Sequence, residues 1–130
     1  MSSIFSKIIA GEIPCYKIAE SEYCFAFLDI NPLTKGHVLV VPKLETDYIF
    51  DLENETYTQL HLFAKTVAIA LKKAVPCNRI GVTIIGLEVP HAHIHLIPIN
   101  EVNDMNFSNK KLNFSNDEFT EIANSIVSFL

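Results

Sequence analysis

The chain has 130 residues, enough for one domain spanning residues 1–130, and 49% of them are hydrophobic, enough for a buried core. Its net charge of −5 gives no basic footprint for nucleic acid or an anionic membrane, so a phosphate ligand would have to be drawn by local groups against the overall field. The three cysteines, Cys15, Cys24 and Cys77, are odd in number and widely spaced, which argues against a disulfide framework or a zinc knuckle and for reduced thiols.

Ser3 is placed to cap a short helix running to Ala10 and closed by Gly11, with Ile4, Phe5, Ile8 and Ile9 apolar. The start lacks a secretory pattern, and no apolar run approaches the roughly 18 residues of a membrane span, so a cytoplasmic location is expected. Pro14 forces extension, and strands are expected over Cys15–Ala19, Tyr23–Asp29 and His37–Val41, the last two joined by a turn marked by Asn31-Pro32 and Lys35-Gly36. Leu60, Phe63, Ala64, Val67, Leu71 and Ala74 recur at helical spacing and predict a long helix from about Asn54 to Ala74, ended by Pro76. Two further strands are expected over Arg79–Ile85 and His93–Ile99. A last helix is expected over Asn116–Phe129, with Phe119, Ile122, Ile126 and Phe129 as its stripe. Strands with interspersed helices and few crossovers imply an α+β domain with a largely antiparallel sheet.

The informative segment is Pro90-His91-Ala92-His93-Ile94-His95-Leu96-Ile97-Pro98. On a strand, alternation places His91, His93 and His95 on one face about 6.6 Å apart, with Ala92, Ile94 and Leu96 toward the core. Two chemistries compete for such a row. A His-x-His pair can hold zinc, with His37 or Glu88 as a third ligand. Alternatively, a neutral imidazole can attack phosphorus, with protonated neighbours stabilising the phosphoryl oxygens.

The run His91-Ala92-His93-Ile94-His95-Leu96-Ile97 resembles the histidine-triad signature, His-φ-His-φ-His-φ-φ with φ apolar. Gly86-Leu87-Glu88-Val89-Pro90 is similar to the Gly-Gln-Glu-Val-Pro of bacterial members. Ile4-Phe5-Ser6-Lys7-Ile8-Ile9 with Glu12-Ile13-Pro14, Phe27-Leu28-Asp29-Ile30-Asn31-Pro32, and Gly36-His37-Val38-Leu39-Val40-Val41-Pro42-Lys43 resemble other blocks of the same family, in order over residues 4–98.

The resemblance implies a fold of roughly five antiparallel strands with a long helix and a C-terminal helix, paired as a two-fold dimer through the long helix and the Arg79–Ile85 strand. It implies a nucleotide hydrolase acting on nucleoside phosphoramidates or related nucleoside monophosphate esters through a nucleotidyl-histidine, with no metal and no cofactor. A dinucleoside polyphosphate hydrolase and a nucleotide-binding regulatory module with weak catalysis are the alternatives. The implied partners are a small-molecule nucleotide and a second copy of the chain, with neither nucleic acid nor membrane. His93 falls on the nucleophile, His95 and His37 on the groups that bond the phosphate, and His91 on the residue that orients His93. Asp29 falls on the acceptor of ribose hydroxyls, and Ile4, Phe5, Ile8, Phe27, Ile30 and Leu39 on the base pocket.

Several positions depart from the pattern. Ile80 stands where an asparagine or glutamine usually contacts phosphate, and Leu87 replaces the usual glutamine, so two donors are expected to be missing from the phosphate side. Glu88 occupies a Ser/Thr position of eukaryotic members. Glu45 stands where some members carry another histidine, and the contribution of that position is expected to be lost.

Overall fold

In the computed structural model, which describes residues 2–130, the elements follow in the order α1 (Ile4–Ile9), β1 (Lys17–Glu20), β2 (Cys24–Leu28), β3 (Val38–Pro42), α2 (Asn54–Ala74), β4 (Arg79–Thr83), β5 (Ile94–Ile99) and α3 (Asn116–Val127). Two short 3-10 turns, Ile49–Asp51 and Val102–Met105, sit in the connections. The strands form one sheet in the order β1-β2-β3-β5-β4, every neighbouring pair antiparallel. The fold is thus the expected α+β arrangement of five antiparallel strands, here with three helices.

Alternation along the strands separates two apolar layers. Leu28, Val38, Val40, Ile94 and Leu96 face α2 and α3, where they meet Leu60, Ala64, Val67, Leu71, Phe119, Ile122 and Ile126 in the main core. The opposite face carries Phe25, Phe27, Leu39 and Val41, which pack with Phe5 of α1 in a smaller cluster. Burying one large aliphatic or aromatic side chain is worth about 1.5–3 kcal/mol, so the main core carries most of the stability and leaves the other face free to be hollowed. Tyr16 stacks on Phe119 at 4.9 Å, which ties α3 to the β1 side of the sheet.

Element boundaries moved where pairing partners run out. β1 begins at Lys17, two residues after the expected Cys15. β4 stops at Thr83 because β5 offers it no partner beyond His95. α3 ends at Val127, so Phe129, expected on its core stripe, is 46% exposed. Ser3 caps α1 as expected, its hydroxyl accepting the Ser6 N–H, and Gly11 follows the helix at φ +82°. Gly36 is the turn glycine that matters for the site. It sits at φ +90° just before His37, and a Cβ there would lie 2.9 Å from Val75 Cγ2.

Candidate active site

Cross-strand partners share a face of the sheet. The pairings Phe27↔Leu39, Leu39↔His95 and Thr83↔His95 therefore line these residues up on the face away from α2. α1 walls one side of the space above them, with Phe5 set edge-on to Phe27 at 5.5 Å and to His93 at 5.0 Å. The result is a cleft of about 430 Å³ whose lining includes Ile4, Phe5, Ile8, Phe27, Asp29, Ile30 and Leu39 with His93 and His95. All the residues expected for the base pocket are thus brought together. Phe5, Phe27 and Leu39 form its buried floor, whereas Ile4 and Ile30 form an open lip at 48% and 61% exposure. An apolar slot with few polar groups suits a flat ring.

The triad does not lie along a strand as expected. β5 begins at Ile94, so only His95 sits in the ladder, while His91 and His93 precede it in irregular chain. β4 has already ended opposite His95, and the β3 ladder stops at Val40↔Ile94, so the segment before Ile94 lacks a strand to pair with. The Ala92 N–H bonds the Thr46 carbonyl instead, at 2.7 Å. The His93 and His95 rings meet edge-to-face with centroids 4.9 Å apart, and the His91 ring is turned out of the cleft and fully buried.

Hydrogen-bond partners settle which nitrogen of each ring carries the proton, because a carbonyl only accepts and a backbone N–H only donates. His93 Nδ1 is 2.8 Å from the His91 carbonyl, so Nδ1 donates and Nε2 keeps a free lone pair. His37 Nδ1 accepts the Leu33 N–H at 3.0 Å, so its Nε2–H donates to His95 Nδ1 at 2.9 Å. His95 is thereby held with its proton on Nε2. Two adjacent imidazoles thus carry opposite equipment, a lone pair at His93 Nε2 and an N–H at His95 Nε2. His91 Nε2 donates to the Pro42 carbonyl at 2.8 Å, and its Nδ1 takes a hydrogen bond from Ser3 Oγ at 2.7 Å.

Burial favours the neutral form of His37, His93 and His95. It lowers the pKa of His37 to about 3 and of His95 to about 4, with repulsion between neighbouring imidazoles adding to both, and it lowers that of His93 as well. The expectation of protonated neighbours is therefore corrected. His37 and His95 act as neutral donors, since a second proton on His95 would point its Nδ1 at the Nε2–H of His37. His37 itself does not line the cleft. It stands 1% exposed behind His95 and fixes that ring's tautomer.

Asp29 serves a turn and the cleft together. Its Oδ1 accepts the Asn31 N–H at 2.8 Å, while Oδ2 lies 3.6 Å from His37 Nε2, and burial raises its pKa. Asp29, His37 and His95 bring potential ligand atoms within 4.8 Å of one another, the one such trio among the described residues, and neither His91 nor His93 belongs to it. The trio does not fit a metal ion. His37 Nε2 carries a proton because its Nδ1 is committed to the Leu33 N–H, and the His95 Nδ1 lone pair is already taken by His37.

Some contributions went unread in the sequence. Phe107, from the segment after β5, lines the cleft and stands edge-on to His95 at 5.0 Å and to His37 at 6.3 Å. Lys111 holds that segment by bonding the Phe107 and Asn109 carbonyls. Ile80, expected on the phosphate side, pairs with Pro98 and packs against the main core on the other face. Thr83, facing His95 across the ladder, stands on the cleft side instead. Leu87 and Glu88 do border the cleft, both exposed. Glu45 is not idle either, since it accepts from the Ser3 N–H and the Ser6 hydroxyl, each at 2.6 Å.

The family model described as "HIT domain" matches residues 10–102. The chain belongs to the HIT family. It is 35% identical over 131 residues to an uncharacterised HIT-like protein of Borreliella burgdorferi, covering 95% of this chain and 94% of that one. It is 41% identical over 96 residues to an adenosine 5'-monophosphoramidase of Saccharomyces cerevisiae, covering 73% of this HIT chain and 61% of the yeast protein. The fold superimposes with a TM-score of 0.86 and 30% identity on a crystal structure of a Hit-like protein from Bartonella henselae, covering 99% of this chain and 97% of that one. No described helix of this HIT protein is long and apolar enough to cross a membrane.

Proposed function

We propose that this HIT protein hydrolyses nucleoside phosphoramidates or related nucleoside monophosphate esters through a covalent nucleotidyl-His93. The observation that carries the reading is the His93 Nδ1–H···O=C bond to His91, which leaves the Nε2 lone pair free at the end of an apolar slot. The base would lie among Ile4, Phe5, Ile8, Phe27, Ile30 and Leu39, the ribose hydroxyls on Asp29, and the phosphoryl oxygens on His95 Nε2–H. In the first step His93 Nε2 forms a bond to the α-phosphorus. The bond to the leaving group breaks, and that group departs with a proton drawn from solvent. Water then attacks phosphorus, the P–N bond opens, and the nucleoside monophosphate and one proton are released with His93 neutral again. Neutral His93 suits this role, since only the unprotonated nitrogen attacks. The yeast relative's name points to the same substrate class.

Purified protein incubated with a panel of adenosine and guanosine phosphoramidates, adenylates and dinucleoside polyphosphates tests the reading. Turnover of the phosphoramidates, abolished in His93→Ala and insensitive to chelator, supports it. Faster turnover of the dinucleoside polyphosphates would favour that leaving group, and tight nucleotide binding with no turnover would favour a binding module.

Pairing of two copies is also proposed. β4 is an edge strand carrying Val82 at 57% exposure, and α2 exposes Leu62 and Ile69. Open edges of this kind are ordinarily covered. Light scattering on a sizing column should give twice the chain mass.

A further inference from the structure

The carbonyl that aims His93 lies outside the sheet, because β5 starts only at Ile94. Its position is therefore set by what grips His91 and Ala92. The Ala92 N–H bonds the Thr46 carbonyl, and the His91 ring is pinned at both nitrogens, by the Pro42 carbonyl and by Ser3 Oγ. Ser3 is only 6% exposed, although it is polar and lies at a helix start. Its hydroxyl accepts the Ser6 N–H at 3.0 Å and gives its proton to the nearer of two acceptors, His91 Nδ1 at 2.7 Å rather than Ser6 Oγ at 3.3 Å, which fits a His91 ring whose Nε2 donates to Pro42. Glu45 Oε1 accepts from the Ser3 N–H and the Ser6 hydroxyl, which joins the first turn of α1 to the same short stretch whose Thr46 carbonyl holds Ala92.

α1 has six residues, too few to be stable alone. It carries Ile4, Phe5 and Ile8 of the apolar slot. We infer that Ser3, backed by Glu45, is a positioning residue that latches α1 to His91, so that closure of the base pocket and aim of the nucleophile depend on one hydrogen bond. This rests on the reading of His93 as the nucleophile. Occupation of the slot holds α1 down, α1 holds His91, and the His91 carbonyl holds His93 Nδ1–H. Binding energy gained at the base is thereby spent on orienting the reacting atom, the pattern that raises kcat rather than lowering KM.

The test compares Ser3→Ala, Ser3→Gly, Ser3→Thr and Glu45→Gln in the full chain. Glycine is a tolerated helix cap, within a few tenths of a kcal/mol of serine, but has no hydroxyl, whereas threonine keeps both cap and donor. The latch requires Ser3→Ala and Ser3→Gly to lose kcat alike, by about tenfold, the lower end of what partners that orient a functional imidazole are worth. KM should change less, Ser3→Thr should be restored, and Glu45→Gln should fall between. Long-range ¹H–¹⁵N spectra of the free protein should show His93 moving from one Nδ1–H tautomer to a mixture in the two latch-free variants. A plain helix cap would leave Ser3→Gly like wild type and the His93 tautomer unchanged in every variant, and that result overturns the proposal. The spectra need no turnover, so a chain that never forms a nucleotidyl-His93 would defeat the proposed function while leaving the latch independently measured.

Discussion

Replacing His37 by leucine, a residue of similar bulk, removes both nitrogens of the ring that fixes His95. His37 is 1% exposed and bonds the Leu33 N–H at 3.0 Å and His95 Nδ1 at 2.9 Å. The variant leaves one buried donor and one buried acceptor without partners, and each such group costs about 1–3 kcal/mol. Part of that is offset because the imidazole no longer has to be desolvated, so the net loss is expected near 2–4 kcal/mol of a total of roughly 5–15. With a urea m-value of about 1–3 kcal/mol/M, the midpoint should fall by about 1–2 M. In the same variant His95 is no longer held with its proton on Nε2, and kcat should drop by about 10–100-fold. Urea unfolding followed by circular dichroism, with steady-state turnover on the same preparation, reads both. A His37→Leu protein within 0.5 kcal/mol of wild type and with unchanged kcat would refute the tautomer chain on which the site is built.

Acidification should destabilise the fold early. His37 and His95 titrate at about 3 and 4 in the folded chain, against about 6.5 unfolded, so the unfolded state binds the extra protons first. Their contribution is complete above pH 6.5 and is lost as pH falls toward 4, at about 1.4 kcal/mol per pH unit for each ring. Urea midpoints at pH 7.5, 6 and 5 check this, and a midpoint that holds or rises toward pH 5 contradicts it. Phe107→Ala opens the edge of His95 to water, so the His95 pKa should move up toward the ordinary imidazole value in an NMR titration; an unmoved value would show that Phe107 does not shield it. Ile30→Ala trims an exposed lip of the slot and should leave stability unchanged, while nucleotide binding weakens by about 1 kcal/mol, close to fivefold in Kd by calorimetry.

The fold was legible because its signals are periodic and redundant. The stripe Leu60, Ala64, Val67, Leu71 could only be a buried helix face, and β-branched runs such as Val38-Leu39-Val40-Val41 could only be interior strand. The site was legible at the level of which residues gather, since the apolar positions and Asp29 do line one cleft with His93 and His95. What alternation could not supply was where β5 begins. A strand needs a partner, and partners are set by the ends of β3 and β4, which are tertiary facts. For that reason alternation puts His91 on the same face as His93 and His95, whereas its ring points to Ser3 and Pro42. Counting residues back from the triad likewise says nothing about which face of β4 a residue takes; the register Ile80↔Pro98 turns Ile80 to the main core and leaves Thr83 on the side of His95. Phe107 and Glu45 were unreadable because they reach the site through long-range contacts that leave no local pattern.

The proposed reaction passes through a bond between His93 Nε2 and phosphorus. Mixing the protein with a slow adenosine phosphoramidate, quenching in denaturant and sequencing the peptides by mass spectrometry reads that bond. One nucleoside monophosphate is expected at His93, appearing before steady state and absent from His93→Ala. Turnover with no adduct at any quench time, or an adduct on His91 or His95 instead, would contradict it.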